Sequence, residues 1–237
     1  MQTNGANGTP GDLALMRLHV DALFTHDAAG RMLRVNEPGG ADAPRIFVGR
    51  TAQGSVLRLR HDVGDALARE LAAVHAAERT GDERLDPPHG APPYEALLAP
   101  AARTEAGPAY RFPREMAVPV DAVRITAENA ELLRPHLHEW ADGIELAQPA
   151  LAMLVDGRAV AVCASVRITP AAHEAGVETA PDFRRRGHAA RVVAAWAAAV
   201  REMGSIPLYS TSWRNAASQA VARKLGLVRY GTDLHIT

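Results

Sequence analysis

The chain has 237 residues, 47% of them hydrophobic, which is ample for a packed core and argues against wholesale disorder. A formal net charge of -1 gives no global basic field, so a nucleic-acid partner is not expected. Cys163 is the single cysteine, which excludes an intramolecular disulfide and a cysteine-built zinc site. No apolar run is long enough to span a bilayer, and the polar, Gly-rich opening lacks the blocks of a signal peptide. The expectation is a cytoplasmic protein with no membrane partner. Lys224 is the only lysine, which reads as codon bias in an arginine-rich chain.

Three regions follow one another. Residues 1–80 read as a small N-terminal α+β accessory domain. Strand signals lie at 19–24, 31–35, 44–51 and 55–60, with Ala29-Gly30, Gly39-Gly40 and Gly54 as punctuation. Residues 27–36 read as a plain β-hairpin. A helix then sets Leu67, Leu71 and Val74 on one face, with Asp65 as its N-cap. Residues 81–116 are proline-rich and read as a linker with at most one short helix around 95–98.

Residues 117–237 alternate strands and helices. A strand at 122–125 leads to a helix capped by Thr126, running toward Trp140 and divided at Pro135. Strands at 150–155 and 159–168 meet at Asp156-Gly157, a strong hairpin signal. A strand at 173–179 precedes a helix that starts at Gly187 and puts Val192, Val193, Trp196 and Val200 on one face. A strand at 208–212 comes next. A helix over 215–225 is expected to bury Ala217, Ala220, Val221 and Leu225 and to end at Gly226. A last strand closes the chain at 227–236. This is an α/β layout with a mixed sheet.

Between the 173–179 strand and the next helix stands Arg184-Arg185-Arg186-Gly187-His188-Ala189. The first N–H groups of a helix have no partner within it, and the helix dipole favours an anion there. Gly187 and Ala189 keep the approach to the main chain open, and the arginines add positive charge. A pyrophosphate suits this turn.

Arg184, Gly187 and Ala189, after Thr179-Ala180-Pro181-Asp182-Phe183, resemble the pyrophosphate loop of the GNAT superfamily of N-acetyltransferases. Asn215 opening a helix, Ser218 one turn on and Lys224-Leu225-Gly226-Leu227 ending it resemble a second element of that family. The likeness covers about residues 117–237. It implies a GNAT-like mixed, mostly antiparallel sheet with splayed central strands flanked by helices. It also implies acetyl-CoA as co-substrate, with the pantetheine arm on the backbone of Val177, Glu178 and Thr179. The diphosphate would lie on Arg184, Arg185, Arg186, Gly187, His188 and Ala189, and Asn215 and Ser218 would border the arm.

The implied reaction is direct transfer of an acetyl group, in a ternary complex, to a primary amine on a small molecule or an N-terminus. The alternative is a non-catalytic acetyl-CoA-binding or sensory protein. An amine must lose a proton to attack, and the thiolate must gain one. His173 occupies the strand position where the resemblance implies a catalytic base, sharing a face with Ala175, Val177 and Thr179. Glu178 and Glu174 face the other way and are weaker candidates. Ala222 stands where the family often has an acid tyrosine, so Tyr230 or Tyr209 is expected to substitute. His136, His138 and Glu139 lack a further ligand, and no metal is expected. With Trp140, Asp142 and Glu145 they lie where the resemblance implies the acceptor pocket. The sequence is compatible with a homodimer.

Overall fold

The computed structural model describes residues 10–78, 91–100 and 103–237. The opening segment at 1–9 and the first part of the expected linker, 81–90, lie outside those residues. The fold is a mixed α+β arrangement built on one nine-stranded sheet. In spatial order its strands are β4 (Gly54–Leu59), β3 (Ile46–Thr51), β11 (Val228–Ile236), β5 (Thr104–Arg111), β10 (Ile206–Ser210), β9 (Ala172–Thr179), β8 (Arg158–Ile168), β7 (Ala150–Val155) and β6 (Ala122–Ile125). A separate two-stranded ribbon joins β1 (Phe24–His26) to β2 (Met32–Val35).

Helices cover both faces. One face carries α2 (Asp65–Ala77), α3 (Ala91–Leu97), α5 (His188–Glu202) and α6 (Ala216–Lys224). The other carries α1 (Asp12–Leu23) and a run of short helical turns that includes α4 (Arg134–Leu137). Alternation along the strands divides the core accordingly. Ala161 and Cys163 of β8 pack with Val192, Val193 and Trp196 of α5, whereas Val162 and Ala164 pack with Leu133, Leu137 and Ile144.

Several local expectations hold. Asp156 and Gly157 both take positive φ, 49° and 73°, as a two-residue hairpin turn requires. Thr126 caps its helical turn in a reciprocal capping box with Asn129, and the helix breaks up around Pro135. Others are corrected. Residues 19–23, expected as strand, belong to α1, because Leu15, Met16, His19 and Val20 recur at helical spacing and bury one face. The N-cap of α2 is Gly64, and Asp65 sits instead in its first turn.

The expected linker over 81–116 contains β5, a central strand between β11 and β10. Pro108 is tolerated there, although a proline lacks the N–H a central strand donates. The sheet thus runs without a break from the first region to the last.

Most neighbouring strands are antiparallel; β9 and β10 are parallel, and they pair only at Ala172–Ile206, His173–Pro207 and Glu174–Leu208. Beyond Glu174 the two separate. Past Ser210 the chain leans onto β5, where Thr211 N donates to Pro108 O at 3.3 Å and Trp213 N to Ala106 O at 3.1 Å. Gly107 makes this possible, since a Cβ there would stand 1.7 Å from the Thr211 carbonyl oxygen.

At the vertex of the opening lies a buried charge cluster. His19 of α1 is fully enclosed, with Nδ1 against Glu174 of β9 and Nε2 2.8 Å from an Asp233 Oδ2 on β11. Only an imidazolium donates from both nitrogens. Burial by itself lowers the His19 pKa, but the two carboxylates outweigh it and push the group up to about 10. An unfolded imidazole titrates near 6.5, so the folded state holds the extra proton between about 6.5 and 10. This stabilisation is complete below pH 6.5 and is lost as pH rises through 10. His19→Gln should therefore cost about 3–5 kcal/mol at pH 6, the usual loss on breaking a buried ion pair. Denaturant unfolding should show the gap from the unsubstituted protein narrowing steadily toward pH 10.

Candidate functional site

The separation of β9 from β10 leaves one edge of residues 175–179 without a strand partner. Val177, Glu178 and Thr179 are consecutive, yet all three line a cavity of about 650 Å³. Consecutive residues point to opposite faces, so the cavity meets the strand along its backbone edge. Phe183, Arg184, Arg185, Gly187, His188, Ala189 and Ala190 form the next wall. Asn215, Ala217, Ser218, Ala220, Val221 and Lys224 form the wall opposite.

The turn before α5 is shaped by its backbone. Arg185 and Gly187 take left-handed φ of 62° and 87°, and Gly187 is the N-cap of α5 with no side-chain cap to occupy the free amides. Arg184 Nε reaches back to the Thr179 carbonyl at 3.1 Å, tying the turn to the end of β9. Arg186 is absent from the cavity wall; its guanidinium lies over the Phe183 ring, 5.3 Å from the centroid. Thr179 Oγ1 and His188 Nδ1 are buried without a hydrogen-bond partner among the described residues. Burial, then Arg191 and Arg186, hold the His188 imidazole below its ordinary pKa. Amides, arginines and unpartnered polar atoms converge on a place for an anion.

Asn215 acts as an N-cap, accepting from Ser218 N at 3.0 Å, while its residue also borders the cavity. Expected core residues Ala217, Ala220 and Val221 line the open cavity instead, and Leu225 is only half-buried. The apolar face of α6 is real, but it looks onto the cleft. Ala222 turns inward and is fully buried in the α5 core, so no hydroxyl stands at that position.

Of the expected proton-transfer residues, Glu178 borders the cavity and accepts from Trp140 Nε1 at 2.6 Å. His173 does not reach the cavity wall. It lies at the paired end of β9, 3% exposed, with Nδ1 2.9 Å from Ser165 Oγ, which accepts from Trp196 Nε1 at 3.1 Å. Burial lowers its pKa. Tyr230 is buried on the α1 face of β11 with a hydroxyl that has no partner among the described residues. Tyr209, the first β10 residue past the last pair with β9, is on the α5 face, its hydroxyl 2.7 Å from Ser218 Oγ. Burial pushes its pKa up to about 12, so it stays protonated.

His136 stacks near Phe183 at 5.2 Å, and Asp142 pairs with Arg134 at 2.9 Å. The sequence reading missed Lys224, Val221, Ala217, Ala220, Phe183 and Ala190 as cavity residues. The signal was available in part, since Ala217, Val221 and Lys224 follow one another at helical spacing.

Residues 150–232 match the family model described as GNAT acetyltransferase. Among solved structures, a GNAT-family protein from Novosphingobium aromaticivorans aligns at 20% identity over 57% of this chain and 65% of its own, with a TM-score of 0.48. This chain therefore spans just under two thirds of that protein's length. A GNAT-family acetyltransferase from Colwellia psychrerythraea aligns at 14% identity over 84% and 82%, with a TM-score of 0.49. A GCN5-related N-acetyltransferase-like protein from Streptococcus suis aligns at 16% identity over 95% and 100%, with a TM-score of 0.47. Among curated proteins none matches. The part of the chain that matches the GNAT acetyltransferase model is thus the part that holds β9, the arginine-glycine turn and α6.

Proposed function

We propose that the protein transfers an acetyl group from acetyl-CoA to a primary amine, on a small molecule or an N-terminus. The observation that carries this reading is the unpaired backbone edge of residues 175–179, which leads directly into the arginine-glycine turn. An extended amide chain can pair with such an edge as a strand would. Five strand residues span about 16 Å at ~3.3 Å each. A pantetheine arm laid along them, with its diphosphate on Arg184, Arg185, Gly187, His188 and Ala189, brings the thioester to the vertex at Glu174.

At the vertex the amine nitrogen attacks the thioester carbonyl carbon, and the carbon–sulfur bond breaks. His173 takes the amine's proton in this reading, because its lowered pKa leaves it neutral at pH 7. Tyr209 returns a proton to the thiolate. It stands on the strand facing His173 across the vertex, and it replaces the tyrosine absent at Ala222. Glu178, on the cavity wall and bound to Trp140, is the carboxylate that suits a cationic acceptor in this reading. Glu178 is assigned to the acceptor side, with Trp140. Tyr230 is assigned no direct role. A non-catalytic acetyl-CoA sensor is the second reading, favoured by the buried Ala222 alone.

Acetyl-CoA at about 100 times its Kd should stabilise the fold by about 2.7 kcal/mol and raise Tm by several degrees. No rise at millimolar ligand would remove both readings. A rise without thiol release across a broad amine panel would select the sensor.

The pH profile tests the proton acceptor. Since the base must be neutral to work and its pKa is lowered, the acid limb of kcat/KM should fall below pH 6.5. His173→Gln should abolish that limb and reduce kcat about a hundredfold. An unchanged profile would reassign the base. Tyr209→Phe should lower kcat by about a hundredfold while leaving the Kd for acetyl-CoA within about twofold.

A further inference from the structure

Glu178 is a half-buried carboxylate on the cavity wall, and no cation pairs with it among the described residues. Elsewhere in the fold Glu174 and Asp233 share His19, and Glu78 holds Arg50. What holds Glu178 is a neutral donor, Trp140 Nε1, at 2.6 Å from Oε2. Its other oxygen, Oε1, is left for a donor from outside.

The indole that fixes this carboxylate also lies along β9. Gly176 stands two residues before Glu178 on the same face of the strand, and a Cβ there would come 3.0 Å from Trp140 Cη2 and 2.2 Å from Val166 Cγ1. Trp140 thus reaches from residue 176 to residue 178, packed on the α4 core and half-buried. Ala175 and Val177 point the other way, into the core beneath α5. The positive groups of the cavity, Arg184, Arg185 and Lys224, stand at the turn and on α6. The carboxylate and the indole therefore occupy the face of the free edge that turns away from α5.

The attacking nitrogen of an acetyl acceptor must be neutral, because an ammonium has no lone pair. A carboxylate suited to a cation is not matched to that nitrogen. Distance gives the same result. Glu178 lies three residues beyond Ala175, the first residue past the last β9–β10 pair, which is about 10 Å of strand at ~3.3 Å per residue.

We propose that Glu178, oriented by Trp140, recognises a second, cationic group of the acceptor, so that the preferred substrate is an α,ω-diamine whose nitrogens stand about 10 Å apart. This rests on the acetyl-transfer reading above. One nitrogen reaches the vertex neutral and is acetylated. The other stays an ammonium and donates to Glu178 Oε1. The chain between them runs along the indole, which offers it an apolar surface. Donor and acceptor then use opposite faces of one strand edge.

The test measures kcat/KM with acetyl-CoA for trimethylenediamine, pentamethylenediamine and octamethylenediamine. A fourth acceptor, the octamethylene amino alcohol, carries a neutral hydroxyl in place of the second amine. The value should rise along the diamine series. Octamethylenediamine should exceed its amino alcohol by about ten- to a hundredfold, the effect of one charge-assisted hydrogen bond. Glu178→Gln should bring these two acceptors to within about threefold of each other, since only a neutral hydrogen bond remains. Trp140→Phe keeps a ring and removes the indole N–H. It should retain the preference for the second charge while flattening the dependence on chain length, because the carboxylate is no longer held in one place. Each ratio compares two acceptors on one protein, so poor folding of a variant lowers both rates and leaves the ratio untouched.

Equal use of octamethylenediamine and its amino alcohol by the unsubstituted protein would overturn the proposal while leaving acetyl transfer intact. A preference that survives Glu178→Gln would overturn the assignment to this carboxylate. Binding of acetyl-CoA with no acetylation of any of the four acceptors would remove the second-charge site, and the broad amine panel then decides whether transfer itself stands.

Discussion

Everything about the cleft depends on a parallel pairing that stops after three residues. Strands normally hold their neighbours along their length, because an unpaired edge leaves donors and acceptors without partners. Here β10 turns toward β5 instead, over a glycine whose missing side chain lets Thr211 approach. The free edge of β9 is the result, and no side chain builds it. One strand is given up on one side and replaced by an opening bordered by backbone donors and acceptors. The left-handed turn at Arg185 and Gly187 then ends the edge with a cluster of N–H groups. A short bend on one strand and a tight turn on the next chain segment together shape the cavity.

Charge divides the cleft into two ends. At the mouth stand Arg184, Arg185 and Lys224, with the positive end of α5. At the vertex, beyond the cavity wall, stand Glu174 and Asp233, bridged by His19, while Glu178, bound to Trp140, borders the cavity itself. A ligand with a polyanionic head and a neutral tail can enter this field in only one favourable direction. The vertex is held by a helix from the first region. Glu174 keeps its position because α1 supplies the imidazolium that balances it.

Much of the second half was legible in the sequence because its signals are local. Asp156-Gly157, Thr126 and the Gly187 turn each fix backbone geometry within a few residues, and all three stand where the spacing puts them. The arginine-glycine turn, Asn215 and Ser218 come together around one cavity. What could not be read depends on distant partners. The first turns of α1 carry no polar cap and end in β-prone residues, so 19–24 resembles a strand until the sheet surface beneath it is known. The proline content of 81–116 hides β5, whose place between two strands is set by β10 and β11. An alanine face on α6 looks the same whether it meets a core or an open cleft. His19 is the clearest case, because its partners lie 155 and 214 residues away.

The strand order has a consequence for how the molecule assembles. The hairpin of β3 and β4 joins the sheet only through β11, with Ile46 beside Ile236 and Arg50 beside Thr232. Among the described residues, no strand made in between pairs with it. During synthesis, the first hairpin therefore waits with an open, apolar strand until β11 has emerged. Contacts of such long range make folding slow and leave the waiting edge open to pairing with other chains.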